Sequence, residues 1–122
     1  MTVGLTFVDV SLTALGALPR AFAGSFLVDT GATDSMAPGA DLSKAGIQPV
    51  GRTSYELADG SVREYPFGLA QIEFMGEVTA GRVIFGPDGA EPILGVTALE
   101  SVGITIDPAT RTLKRLPAIS LK

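Results

Sequence analysis

The chain has 122 residues, a formal net charge of −4, and neither cysteine nor histidine. That length allows one core of moderate size, and 46% hydrophobic residues with a mean hydropathy of +0.37 indicate a packed globular chain rather than a disordered one. Without thiols or imidazoles there are no disulfides, no cysteine nucleophile, no serine–histidine triad and few routes to a zinc site. Any acid–base chemistry must come from carboxylates, lysine or tyrosine.

Charge is unevenly spread. Arg111, Lys114, Arg115 and Lys122 give the last segment +4 with no acid, while the rest of the chain holds 13 acids and 5 bases. The acidic balance argues against a nucleic-acid partner. A basic end on an acidic body fits a solvated last strand or a surface for self-association. No apolar run reaches the 18 or so residues that span a bilayer. The start lacks the basic region and apolar stretch of a signal peptide. The expectation is therefore a cytoplasmic location by default, with no membrane partner. Neither a cofactor nor a metal is expected.

The 15 glycines and 8 prolines are spread along the chain, as in folds of many short strands joined by turns. Residues 2–12 alternate, with Val3, Leu5 and Phe7 on one face and Val8, Val10 and Leu12 on the other. The phase change at Phe7-Val8 predicts a bulge or a strand passing between sheets. A turn ending at Pro19 and a second strand from Arg20 to Val28 complete a hairpin. Thr33-Asp34-Ser35-Met36 is polar and compact. Pro38 to Ala45 suits one or two helical turns stopped by Gly46.

From Gly51 the pattern is mostly strand. Thr53–Ala58 and Ser61–Tyr65 flank Asp59-Gly60, a two-residue hairpin signal. Leu69–Met75 and Val78–Phe85 flank Gly76-Glu77, a second one. Pro92-Ile93-Leu94-Gly95 is a short strand, and Val96–Val102 is a helix closed by Gly103. Ile104-Thr105-Ile106 is a strand, Asp107 to Thr110 a turn, and Thr112, Leu113 and Leu116 mark a last strand. The whole reads as one domain, residues 1–122, with eight or nine strands, one or two short helices and no internal repeat.

Phe26-Leu27-Val28-Asp29-Thr30-Gly31-Ala32 stands out. Three apolar residues run directly into an acid, which is costly to bury unless it is paired or hydrogen-bonded. The glycine two positions on permits a tight turn and close approach by another chain. The stretch reads either as a strand delivering an acid to the floor of a cleft or as a strand ending in a polar turn.

In this order the elements resemble the retropepsin-like aspartic proteases, single-domain relatives of pepsin. Asp29-Thr30-Gly31-Ala32 matches the catalytic motif. Tyr55 to Pro66 matches the flap, and Ile72 to Gly76, Gly81 to Val83 and Gly86-Pro87 match the strand pair after it. Ile93-Leu94-Gly95, followed by Leu99 and Gly103, matches the apolar pair plus glycine before a short helix. The resemblance implies an all-β, closed, barrel-like acid protease fold with one or two short helices. It also implies an aspartic endopeptidase in which Asp29 activates water.

Such hydrolysis needs one group to take a proton from water and another to give one to the amide, and two close carboxylates share a proton to do both. This chain holds one Asp-Thr-Gly. The resemblance therefore implies a homodimer, with Asp29 and the partner's Asp29 meeting on a two-fold axis, and it excludes an active monomer. It assigns Thr30 to a hydrogen bond across the axis and Gly31 to the substrate backbone. Ala58, Asp59, Gly60 and Ser61 become the flap that closes over an extended peptide. Ile93 and Ala32 line a pocket near the dyad, although core packing accounts equally for Ile93 and better for Leu94.

Three departures from the family pattern are visible. Retroviral members carry an acid at the position of Thr33 and an arginine at that of Val96, and here both charges are missing together, so neither is left buried alone. The flap tip has a single glycine, and the chain continues past the family's usual last strand to Lys122. Two other readings compete: a catalytically inactive dimer of the same fold that binds peptides, and a small-ligand β-barrel with a coincidental motif.

Overall fold

Alternation along the first two strands builds one wall of the core. In β1 (Phe7–Ala14), Val10 and Leu12 are buried and Phe7 and Asp9 exposed; in β2 (Ala21–Asp29), Phe26 and Val28 are buried. A computed structural model describes residues 6–16 and 20–121 of the chain. β1 and β2 pair antiparallel in an unbroken register from Phe7↔Leu27 to Thr13↔Ala21. The bulge predicted at Phe7-Val8 is therefore not formed: Phe7 is an outward-facing apolar residue, and the core face opens at Val8. Val3, Leu5, Pro19 and Lys122 lie outside the described residues.

The remaining elements are β3 (Ser35–Pro38), α1 (Gly39–Lys44), β4 (Gly51–Glu56), β5 (Val62–Phe74), β6 (Glu77–Gly86), β7 (Ile93–Gly95), α2 (Val96–Ser101), β8 (Ile104–Asp107) and β9 (Thr112–Arg115). Strands run in the order β1-β2-β7-β3-β6-β5-β4, and β1 returns to β5 through Ser11↔Glu73 to Ala14↔Ala70. Six strands thus close into a barrel, and β4 hangs on β5 outside the ring. Closure removes most free edges. Leu12, Phe26, Leu42, Ile72, Val83, Leu94 and Leu99 fill the interior. The expected all-β, closed, barrel-like architecture with short helices is the one observed. Among the described residues no helix is long and apolar enough to cross a membrane.

Local differences from the sequence pattern have physical reasons. The compact Ser35-Met36 segment begins a strand, β3, held parallel to β6. The two strands expected around Pro66 are one, β5. At Pro66 only β4 lies alongside, and β6 joins at Phe67, so the missing N–H interrupts no second ladder.

Both hairpin loops also differ. The loop at Asp59-Gly60 has three residues, not two: Gly60 N donates to Leu57 O (2.9 Å) and Leu57 N to Ser61 O (2.7 Å), with Gly60 at φ +85°. That is a turn closed by a glycine bulge. The second turn is Met75-Gly76, one residue before the expected pair, with both residues at positive φ (53° and 75°). Met75 holds a backbone that favours glycine or asparagine, and its side chain packs against the core in compensation.

The C-terminal strands form a separate two-stranded hairpin, β8–β9. Leu116 N donates to Gly103 O (2.8 Å). The Arg115 guanidinium donates to the Glu77 carboxylate and the Met75 carbonyl. Part of the basic end is therefore engaged within its own chain, on the β5–β6 turn.

Candidate active site

The buried side chains of Phe26 and Val28 fix the end of β2, and its parallel pairing with β7 sets Asp29 opposite Gly95. The chain then turns at once. Ala32 N donates to Asp29 O (3.1 Å), and Gly31 N donates to Asp29 Oδ1 (3.0 Å). Asp29 is half-buried, so its carboxylate is partly out of water and held by a backbone donor.

The following loop is braced from behind. Val96 N donates to Ala32 O (2.8 Å) and Thr97 N to Thr33 O (3.2 Å), both at the start of α2. Buried Ser35 accepts a bond from Gly95 N at Oγ (3.0 Å). A Cβ on Gly95 would stand 2.6 Å from the Asp34 carbonyl carbon and 2.8 Å from Thr33 O, so only glycine allows this approach. Backbone donors at Val96 and Thr97 hold the loop at the place where retroviral members put a charged side-chain pair.

A cleft of about 690 Å3 opens above this floor. Asp29, Gly31 and Ala32 line its base, Ser54 to Ala58 of the β4–β5 hairpin line its roof, and Met36, Ile84 and Ile93 give it an apolar wall. Of the residues picked out in the sequence, Asp29, Gly31, Ala32, Ala58 and Ile93 thus meet in one cleft. Asp59, Gly60 and Ser61 lie at the hairpin tip, outside its lining. There Ser61 donates to Asp59 Oδ1 from both its N (2.9 Å) and its Oγ (2.6 Å), which holds the Asp59 carboxyl below its ordinary value.

Thr30 turns away from this cleft. It borders a pocket of about 290 Å3 with Val96, Leu99 and Ile104, and a shallow hollow of about 500 Å3 with Leu27, Ile106, Pro108 and Arg111. Asp29 also touches that hollow. It therefore sits on a ridge between two concavities, one under the hairpin and one on the opposite side.

The cleft also joins Tyr55, read in the sequence only as the start of the flap, to Asp34, to which the sequence assigned no role. Tyr55 Oη donates to Asp34 Oδ2 (2.7 Å), linking roof to floor. Burial, then the Asp34 hydrogen bond and charge, raise the Tyr55 phenol, against an opposing pull from Arg82. Arg82 Nη1 donates to Thr53 Oγ1 (2.9 Å), with the guanidinium 4.1 Å from the centre of the Phe67 ring. Thr53, Tyr55 and Leu57 are the inward positions of an alternating strand, a signal that marks the face but not the partner. Among the described residues no three acid side chains gather as metal ligands would.

The model of the family described as "gag-polyprotein putative aspartyl protease" matches residues 22–101, from β2 to the end of α2. Among solved structures, the protease of EIAV in complex with the inhibitor HBY-793 matches with a TM-score of 0.56 at 20% identity. The match covers 84% of this chain and 92% of that one. At that identity the likeness is one of fold, and the fold is that of a retroviral protease. No curated protein matches the sequence. The β8–β9 hairpin lies beyond the stretch that the family model matches.

Proposed function

The chain belongs to the gag-polyprotein aspartyl protease family, and from that premise we propose that it is a homodimeric aspartic endopeptidase, residues 1–122 forming one protease domain. Asp29 and the partner's Asp29 are its paired carboxylates. The observation that carries this reading is the placement of Asp29 at the base of a cleft roofed by a hairpin, with Gly31 N fixing one carboxylate oxygen.

In this reading the hollow on the other side of Asp29 receives the second copy. Thr30 is exposed and borders that hollow, which supports its assignment to a bond across the axis. An isologous arrangement brings the same ridge from each copy to the two-fold axis. Two carboxylates at close range hold one proton between them. The ionised one takes a proton from a water whose oxygen attacks the peptide carbonyl carbon. The protonated one supports the carbonyl oxygen as negative charge develops. Collapse of the tetrahedral intermediate breaks the C–N bond, and a carboxyl proton goes to the leaving nitrogen.

The β4–β5 hairpin serves as the flap. An extended peptide lies between it and the floor as an added strand, its main chain bonded on both sides. Met36, Ile84 and Ile93 make an apolar wall, which favours apolar side chains in the segment that is cut.

The test compares wild type with Asp29→Asn on a mixed peptide library from pH 4 to 7, with mass measured in solution. Expected is cleavage by a wild-type dimer and none by the variant. Cleavage surviving the substitution, or an active monomer, overturns the reading. Binding without cleavage by both proteins points instead to an inactive peptide-binding dimer.

A further inference from the structure

Among the described residues β4 is the last strand of its sheet and pairs only with β5, while residues 62–66 of β5 pair only with β4. Outward of Phe67 the hairpin is thus a two-stranded ribbon, a form with little stability of its own. The Arg52–Glu64 ion pair is exposed and adds little. Side-chain bonds from the ribbon to the rest of the molecule therefore decide where it sits.

Among the described residues the ribbon is tied by Arg82 to Thr53 and by Tyr55 to Asp34, and Arg82 also pulls on the Tyr55 hydroxyl. The two bonds differ in what they reach. The first ties β4 to β6 within the same sheet. The second crosses the cleft to the floor. Asp34 is a firm anchor, because its neighbours Thr33 and Ser35 are both bonded to the β7–α2 junction. The Tyr55 ring is steadied by the Tyr65 ring, their centres 6.4 Å apart. Beyond Tyr55 the bonds observed, Leu57 to Ser61, Gly60 to Leu57 and Ser61 to Asp59, stay inside the hairpin.

We infer that Tyr55 and Asp34 form a latch that pins the base of the hairpin to the cleft floor, so that the hairpin opens by bending beyond Tyr55 and only residues 56–62 lift to admit a peptide. Tyr55 is then a positioning residue. It sets the height of the roof over Asp29 and acts on peptide capture rather than on bond breaking. This role builds on the protease reading given above.

The experiment uses the full chain with Tyr55→Phe, Asp34→Ala, Asp34→Asn and the Tyr55→Phe/Asp34→Ala double variant. Amide hydrogen exchange is followed over residues 56–62, and KM and kcat are measured on a peptide selected from the library. Losing one bond to a charged acceptor is worth about a tenfold change or more. Tyr55→Phe and Asp34→Ala are expected to speed exchange and raise KM by that factor while leaving kcat within about twofold. Asp34→Asn keeps an acceptor oxygen but not the charge and falls between wild type and Asp34→Ala, and the double variant matches either single one, as coupled partners must. The latch is overturned if Tyr55→Phe leaves exchange and KM unchanged, or if the double variant shows two independent losses. If no protein in the series cleaves any peptide, the protease reading fails, and exchange with its coupling still decides the latch.

Discussion

Ala32 follows the glycine of the motif, a position where many pepsin-like sequences carry a hydroxyl able to bond the ionised carboxylate. Such a donor favours the charged form of the carboxylate it reaches. Alanine has none, so the activity of wild type is expected to peak above about pH 3, and Ala32→Ser should move the acidic limb of the profile downward. An unchanged limb would mean that the side chain at this position does not reach the dyad.

Asp59 at the hairpin tip is the opposite case, a carboxylate that has its donors. Its carboxyl is lowered by the Ser61 hydroxyl first and the Ser61 amide second. A carboxyl depressed by folding contributes stability above its ordinary value, and that contribution is lost as pH falls through the depressed one. The tip is therefore expected to stay closed through the range of the library assay and to loosen in stronger acid. In Asp59→Asn, where no carboxylate remains to titrate, the acid step should vanish. Proton-resonance titration of the Ser61 amide reads both.

At the scale of single elements the braced floor is the sensitive point. Gly95→Ala drives a methyl into the backbone of Thr33 and Asp34. Neither neighbour is the far end of a flexible side chain, so the clash moves the loop that holds Asp29. A loss of about 1–3 kcal/mol in urea unfolding is expected, with cleavage activity falling further than stability alone would explain. A near-neutral result would show that the floor yields.

Elements also show where the sequence was readable. Strands with alternating burial were plain in β1, β2 and β6, since period two is written in the residues themselves, and β7 was plain as a short apolar run closed by glycine. Asp29 was plain too, as an acid closing an apolar run. β3 was hidden because its four residues acquire strand form only from β6 and β7 beside them. The unity of β5 was hidden by Pro66, whose meaning depends on which side of the strand is occupied. The Tyr55–Asp34 bond joins residues on separate elements, and no local pattern records such a pairing.

For the molecule as a whole, the proposed completion of the site by a second copy ties activity to concentration. Specific activity is expected to fall on dilution in step with the dimer fraction seen by sedimentation. Constant specific activity across dissociation would contradict a shared dyad. The charge imbalance read from the sequence announced only that the two ends of the chain differ. Arg115, bonded to the β5–β6 turn of its own chain, shows that at least one of the terminal cations is used internally.

The ring that closes through β1 and β5 also separates two timescales of assembly. Ser11 must find Glu73 across much of the chain before the barrel exists, whereas Gly51 finds Phe67 across a short loop. Non-local pairing of the first kind is slow, and local pairing of the second kind is fast. Residues 56–62 beyond the latch can therefore open and close many times within the lifetime of one folded barrel. Stopped-flow refolding with probes at each place should show the slow phase in the β1–β5 seam alone; one common rate at both would tie the roof to the folding of the whole.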